Sequence, residues 1–161
     1  MEINTLALAR ALHVIGVVLW IGGVAMVTTV LLPATRKLKS AAEQVAFFEK
    51  IEQGFARQAR FTTLLTGLSG FYMATALHAW SRYGMPQFWW MHAMTAVWVI
   101  FTMMLFVLEP LVLHKWFLQK ASQNPINTFR LIQRLHWVLL TVSLIAIFGA
   151  VSGVHGWLLP L

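Results

Sequence analysis

Residues Ala11–Gly23 read ALHVIGVVLWIGG, an uncharged apolar run with a single histidine. At 3.6 residues per turn His13, Gly16 and Trp20 fall along one helix face, and Gly22 and Gly23 follow at the end of the run. A run of this kind is a membrane helix. A neutral imidazole inside a bilayer needs a partner: a metal, a haem iron or a hydrogen bond. The small residues beside His13 predict room for something flat.

The rest of the chain keeps this character. Of its 161 residues, 59% are hydrophobic, against about 45–50% in soluble domains. The length suits one domain, residues 1–161. The first apolar run has no charged stretch before it and no small-residue cleavage signal after it, which predicts a retained span. No cysteine is present, so disulfides, thiolate metal sites and iron–sulfur clusters are excluded. Six histidines and eight methionines remain as metal-ligand types. The net charge of +7 raises nucleic acid as a partner, but ten of the twelve Lys and Arg residues lie in 36–60 and 115–134. Those segments alternate with apolar runs, which is a positive-inside pattern and not a nucleic-acid surface. The lipid bilayer is the expected partner.

Four apolar runs reach the roughly 20 residues of a span, at about 5–32, 59–80, 88–113 and 136–158. They predict an all-α integral membrane four-helix bundle with up-down topology. The basic segments 34–58 and 114–135 are then cytoplasmic loops, and both termini are periplasmic. In the first connector Ala41, Val45, Phe48 and Phe55 recur at helical spacing with Glu43, Glu49 and Glu52 opposite. This predicts an amphipathic cytoplasmic helix, lying on the membrane or extending the second span. Gln123-Asn124-Pro125 reads as a turn. Trp80, Tyr83, Trp89, Trp90 and Trp157 at one side, and Trp116 and Trp137 at the other, read as two aromatic belts.

Histidines recur with a faint internal symmetry. His13 and His92 sit near the starts of the first and third runs, and His78 and His155 near the ends of the second and fourth. Each should lie about 9–12 Å to the periplasmic side of the midplane at 1.5 Å per residue. One histidine per helix in one layer suits a haem held by two imidazoles inside the bundle, or a copper or zinc site. On the second run Thr63, Gly67, Gly70, Ala74 and His78 form one stripe, suited to a close porphyrin face or to helix packing. On the third, His92, Thr95, Val99, Thr102, Phe106 and Glu109 form a polar stripe. Glu109 is an acid within an apolar run; Arg60, Arg134, His114 and His136 are its candidate partners, and an interfacial salt bridge or a proton path its candidate roles.

Arg10-Ala11-Leu12-His13 with Trp20-x-Gly22-Gly23 resembles the opening helix of the copper-resistance protein D-like membrane proteins and of the HemJ-type protoporphyrinogen oxidases. Phe88-Trp89-Trp90-Met91-His92 resembles the third-helix motif of the second group. That group carries a lysine two residues after the histidine, where this chain has Met94. The resemblance implies a small four-helix protein that binds haem b or handles periplasmic copper, with His13 and His92 at the family's histidine positions. The resulting expectation is a bacterial inner-membrane haem b protein with bis-histidine ligation. It would transfer electrons near the periplasmic face, with quinol or a small oxidant as partner. Copper binding or transport, and a protoporphyrinogen oxidase-like enzyme, are the alternatives. His13 and His92 are the first ligand pair, His78 and His155 the second, and Gly16, Trp20, Gly67 and Gly70 the cofactor-facing residues. One haem or two, and a monomer or a homo-oligomer, are all compatible with the sequence.

Overall fold

The computed structural model describes residues 4–156. Five helices account for nearly all of them: α1 (Thr5–Thr35), α2 (Ala41–Ala76), α3 (Pro86–Leu113), α4 (His114–Gln123) and α5 (Pro125–Val154). No strand occurs among the described residues. Three helices, α1, α3 and α5, are long and apolar enough to cross a membrane, with mean hydropathies of 2.3, 2.3 and 2.2. They mark the chain as a membrane protein. The second expected span is the later half of α2, whose 36 residues also carry Lys50, Arg57, Arg60 and three glutamates.

Local chemistry sets the ends. Asn4 caps α1 by accepting from the Ala7 N–H at 3.0 Å. Ser40 and Glu43 form a capping box at the start of α2. Asn124 caps α5, with Pro125 in its first turn, where a missing N–H costs nothing. His78, at φ 50°, ends α2 in the left-handed region.

Several boundaries differ from the sequence expectation. The amphipathic connector helix takes the second of its two expected forms, an extension: it is the first half of α2, continuous with the segment expected to be the second span. Helix α2 stops at Ala76, so the end of that span near 80 lies in the following 3-10 turn, Ala79–Gly84. The 114–135 segment is not a loop, because α4 and the start of α5 fill it around the one break at Asn124. Its charges decorate helices whose Phe117, Ala121 and Phe129 are buried, and Phe117 and Phe129 meet at 5.8 Å between ring centroids. Helix α5 ends at Val154, and the belt residue Trp157 lies outside the described residues. Trp90 is not a belt residue; it is buried on Gly149 and Gly153 of α5.

Neighbouring helices run antiparallel. Thr5, His13 and Leu19 of α1 meet Tyr72, Ser69 and Gln58 of α2. Trp98 of α3 meets Thr63 of α2, and Arg60 meets Leu105. Thr28 of α1 meets Gln133 of α5. The core divides into one cluster around Trp20, Val24, Phe101 and Leu140, and a second around Leu32, Phe48, Phe117 and Phe129 at the connector end. Outward faces are apolar as well, with Val18, Leu68, Phe71 and Val138 exposed, as lipid contact requires. The buried hydroxyls of Thr28, Thr35, Thr66 and Ser143 each bond to the carbonyl four residues earlier in their own helix, which satisfies them without water.

Both π-helical stretches neighbour or contain a proline. Residues Val27–Leu31 of α1 precede Pro33, and Met104–Leu113 of α3 contain Pro110. Proline has no N–H, so the carbonyl that a five-residue bond would reach is left open. Those carbonyls are Thr28 and Leu105. Gln133 Nε2 donates to the first at 2.5 Å and Arg60 Nε to the second at 3.0 Å. Each proline thus creates an acceptor that a polar side chain of another helix takes up.

Candidate functional site

His13 lies half-buried in the α1–α2 seam. Its Nδ1 is 3.0 Å from the Thr66 carbonyl and 3.2 Å from Ser69 Oγ. A carbonyl only accepts, so Nδ1 carries the proton and Nε2 keeps its lone pair. Gly70 is the floor of this seat, since a Cβ there would stand 3.2 Å from His13 Cε1. The expected room for a flat ligand is taken by the protein itself. A Cβ at Gly16 would come 2.5 Å from Thr66 Oγ1, and one at Gly67 2.5 Å from the Trp98 indole. The small residues serve close helix packing, which is their common use in membranes. Trp20 is buried on the same face as His13 and Gly16, edge-on to Phe101 at 4.9 Å.

The other histidines do not converge on His13. His92 is exposed on α3, its Nε2 2.8 Å from the Tyr83 carbonyl and its ring edge-on to Tyr83. His155 caps α5, with Nδ1 2.8 Å from the Val151 carbonyl. His78 is exposed in its turn. Their depths differ too. His13 is level with Ser69 and Gly70, and α2 runs six residues further, about 9 Å, before His78 leaves it. The single layer expected from the sequence is therefore a spread, with His13 deepest and His78 and His155 at the rim. Among the described residues no three His, Asp or Glu side chains converge as a metal cage.

The opposite end of the helices holds an ion pair that the sequence anticipated and a cavity that it did not. Arg60 and Glu109 form an ion pair there, so the salt-bridge role expected of Glu109 is the one observed and Arg60 is its partner. Beside it lies a cavity of about 190 Å³ between α1, α2, α3, α4 and α5. Glu49, Glu52, Glu109 and His136 border it among apolar and aromatic walls. His136 gives its Nδ1 proton to the Ile132 carbonyl at 2.9 Å. The signal was present in the spacing. Glu52 follows Phe48 by four residues and so shares its face, although its charge suggested the opposite one.

Neither a family model, nor a curated protein, nor a solved structure matches the chain.

Proposed function

We propose that the chain is a haem b-binding electron-transfer protein of the bacterial inner membrane. In this reading α2 supplies the fourth crossing of an up-down bundle and both termini are periplasmic. One observation carries it. His13, His92 and His155, all towards one end of the helices, each tie one ring nitrogen to a main-chain carbonyl and keep the other uncommitted. Backbone carbonyls of this kind fix the tautomer and orientation of ligating imidazoles. The donor set therefore suits haem, which asks for two imidazoles. The α1–α2 seam is not its cradle, because Trp98, Thr66 and His13 fill the places of the small residues. His13 through Nε2 and His92 through Nδ1 are the proposed ligands, with the Thr66 and Tyr83 carbonyls holding the rings; since the two rings do not converge in the structure, this reading requires α1 and α3 to move together on haem binding. Haem, when bound, supplies a one-electron iron couple; quinol or a small oxidant is the proposed redox partner.

Copper capture, the other reading of the family resemblance, asks for more donors in one place than converge here. The protein purified in mild detergent should show a Soret band that shifts on dithionite reduction. His13→Ala and His92→Ala should each lose the low-spin spectrum, while His78→Ala and His155→Ala keep it. A colourless protein carrying stoichiometric copper would replace this reading with the copper one. A low-spin spectrum surviving in His13→Ala would overturn the ligand pair.

A further inference from the structure

The connector end sorts its charges by sign. Nine of the chain's twelve Lys and Arg residues stand exposed there, in segments 36–57 and 115–134. The acids of the same helices are engaged elsewhere. Glu49, Glu52 and Glu109 border the interior cavity, Glu109 is paired with Arg60, and Glu43 closes the capping box of α2. The outer surface of this end is therefore basic. A positive-inside bias accounts for the sum of that charge but not for its arrangement. On α5, Ile126, Arg130, Arg134 and Trp137 follow one another at intervals of four, four and three residues, so they form one stripe. All four are exposed, Ile126 to 66% and Trp137 to 48%. At 1.5 Å per residue Arg134 stands about 5 Å and Arg130 about 10 Å beyond Trp137 along the helix axis. A bilayer's headgroup layer is about 5–8 Å deep outside the hydrocarbon, so the two guanidiniums flank the level of the lipid phosphates.

We propose that this stripe holds the phosphate of an anionic phospholipid from the leaflet at the connector end. Arg130 and Arg134, one helical turn apart, present planar donor forks that match phosphate oxygens. Arg130 donates one N–H to Asn127 Oδ1 at 3.3 Å, which leaves most of its five donors for a ligand. The Trp137 ring is amphipathic and suits the boundary between headgroup and acyl chain. Val138, exposed beside it, continues the apolar path that a chain would follow, and Leu131 and Leu135 are exposed next to the arginines. A soluble nucleic acid would match the charge but leave Leu131, Leu135 and Trp137 in water. A zwitterionic lipid would match the apolar path but bring its own cation beside two arginines.

The full chain, delipidated in mild detergent, tests this by native mass spectrometry with added phosphatidylglycerol or phosphatidylcholine of the same acyl chains. One basic residue near an anionic lipid is worth roughly fivefold in affinity, so two arginines should favour phosphatidylglycerol by at least about tenfold. Arg130→Gln with Arg134→Gln, both at exposed positions that do not threaten folding, should abolish that preference and leave phosphatidylcholine binding unchanged. Lys37→Gln with Lys39→Gln removes the same charge from the turn between α1 and α2 and should keep the preference. Inorganic phosphate at the concentration of the lipid should not compete. Equal binding of the two lipids would overturn the proposal. So would a preference that survives the arginine pair with circular dichroism showing intact helices. An equal loss in both double variants would replace the site with a diffuse surface field. Displacement of the lipid by inorganic phosphate would replace it with a site for a soluble anion, and displacement by a short single-stranded RNA with a nucleic-acid surface.

Discussion

At the scale of single residues, glycines and hydroxyls decide how closely the helices meet. Gly67 admits the Trp98 indole, which in turn donates Nε1 to the Thr63 carbonyl at 2.9 Å. Gly67→Ala forces that ring away and strains a packed seam, so it should destabilise by about 1–3 kcal/mol. Gly22 has nothing within 4 Å of its would-be Cβ, and Gly22→Ala should stabilise by about 0.5–1 kcal/mol through helix propensity alone. Thermal unfolding of both variants in one detergent checks the contrast; equal effects would show that the seam is not close-packed. Thr63 poses the converse case. Its Oγ1 is buried with no partner, so Thr63→Val sheds a desolvation penalty and should be neutral or stabilising by about 1 kcal/mol. A loss of stability in that variant would mean the hydroxyl has a partner after all.

At the scale of elements, the prolines and the side chains that answer them form matched sets. Gln133→Leu should cost about 1–3 kcal/mol, because the Thr28 carbonyl is left buried and unpaired. Pro33→Ala restores an N–H to the helix. In the double variant much of the Gln133 penalty should vanish, a coupling that a double-mutant cycle in urea or detergent denaturation measures. Strict additivity would refute the link between proline and glutamine. This level also shows what the sequence could tell. Helices α1, α3 and α5 were legible because apolar length alone specifies a span. Their continuation through the connectors was hidden, because the charges of Lys115, Lys120 and Arg130 read as loop while Phe117 and Ala121 pack inward. Pro33 and Pro110 hinted at irregular helix, but which carbonyl is freed depends on the π form, and who answers it depends on packing across more than a hundred residues in the Gln133 case.

At the scale of the whole molecule, charge and chemistry are segregated between two ends. His13, His78, His92 and His155 lie towards one and the basic connectors, the ion pair and the cavity towards the other, with His92 and Glu109 about 25 Å apart along α3 at 1.5 Å per residue. The ion pair was legible, since an acid in an apolar run must find a cation and Arg60 faces it. The spread of histidine depths was not, because helix ends set depth and counting from the middle of a run misses them. The segregation predicts orientation. A reporter fused after Leu161 should be active in the periplasm, as should one fused before Met1; cytoplasmic activity of the C-terminal fusion would invert the topology and the side on which the histidines face.

An α-helix turns about 100° for every residue, so any length change within one continuous helical rod rotates all that follows. In α3 the π stretch Met104–Leu113 sets the phase of α4, and through it brings Phe117 to 5.3 Å from Phe48 and 5.8 Å from Phe129. Removing a single leucine or valine from that stretch would scarcely alter its hydropathy. It would nonetheless swing the aromatic cluster off its partners and open the connector end. For this chain, spacing between Met104 and Leu113 is a stricter inheritance than the identity of the apolar residues that fill it.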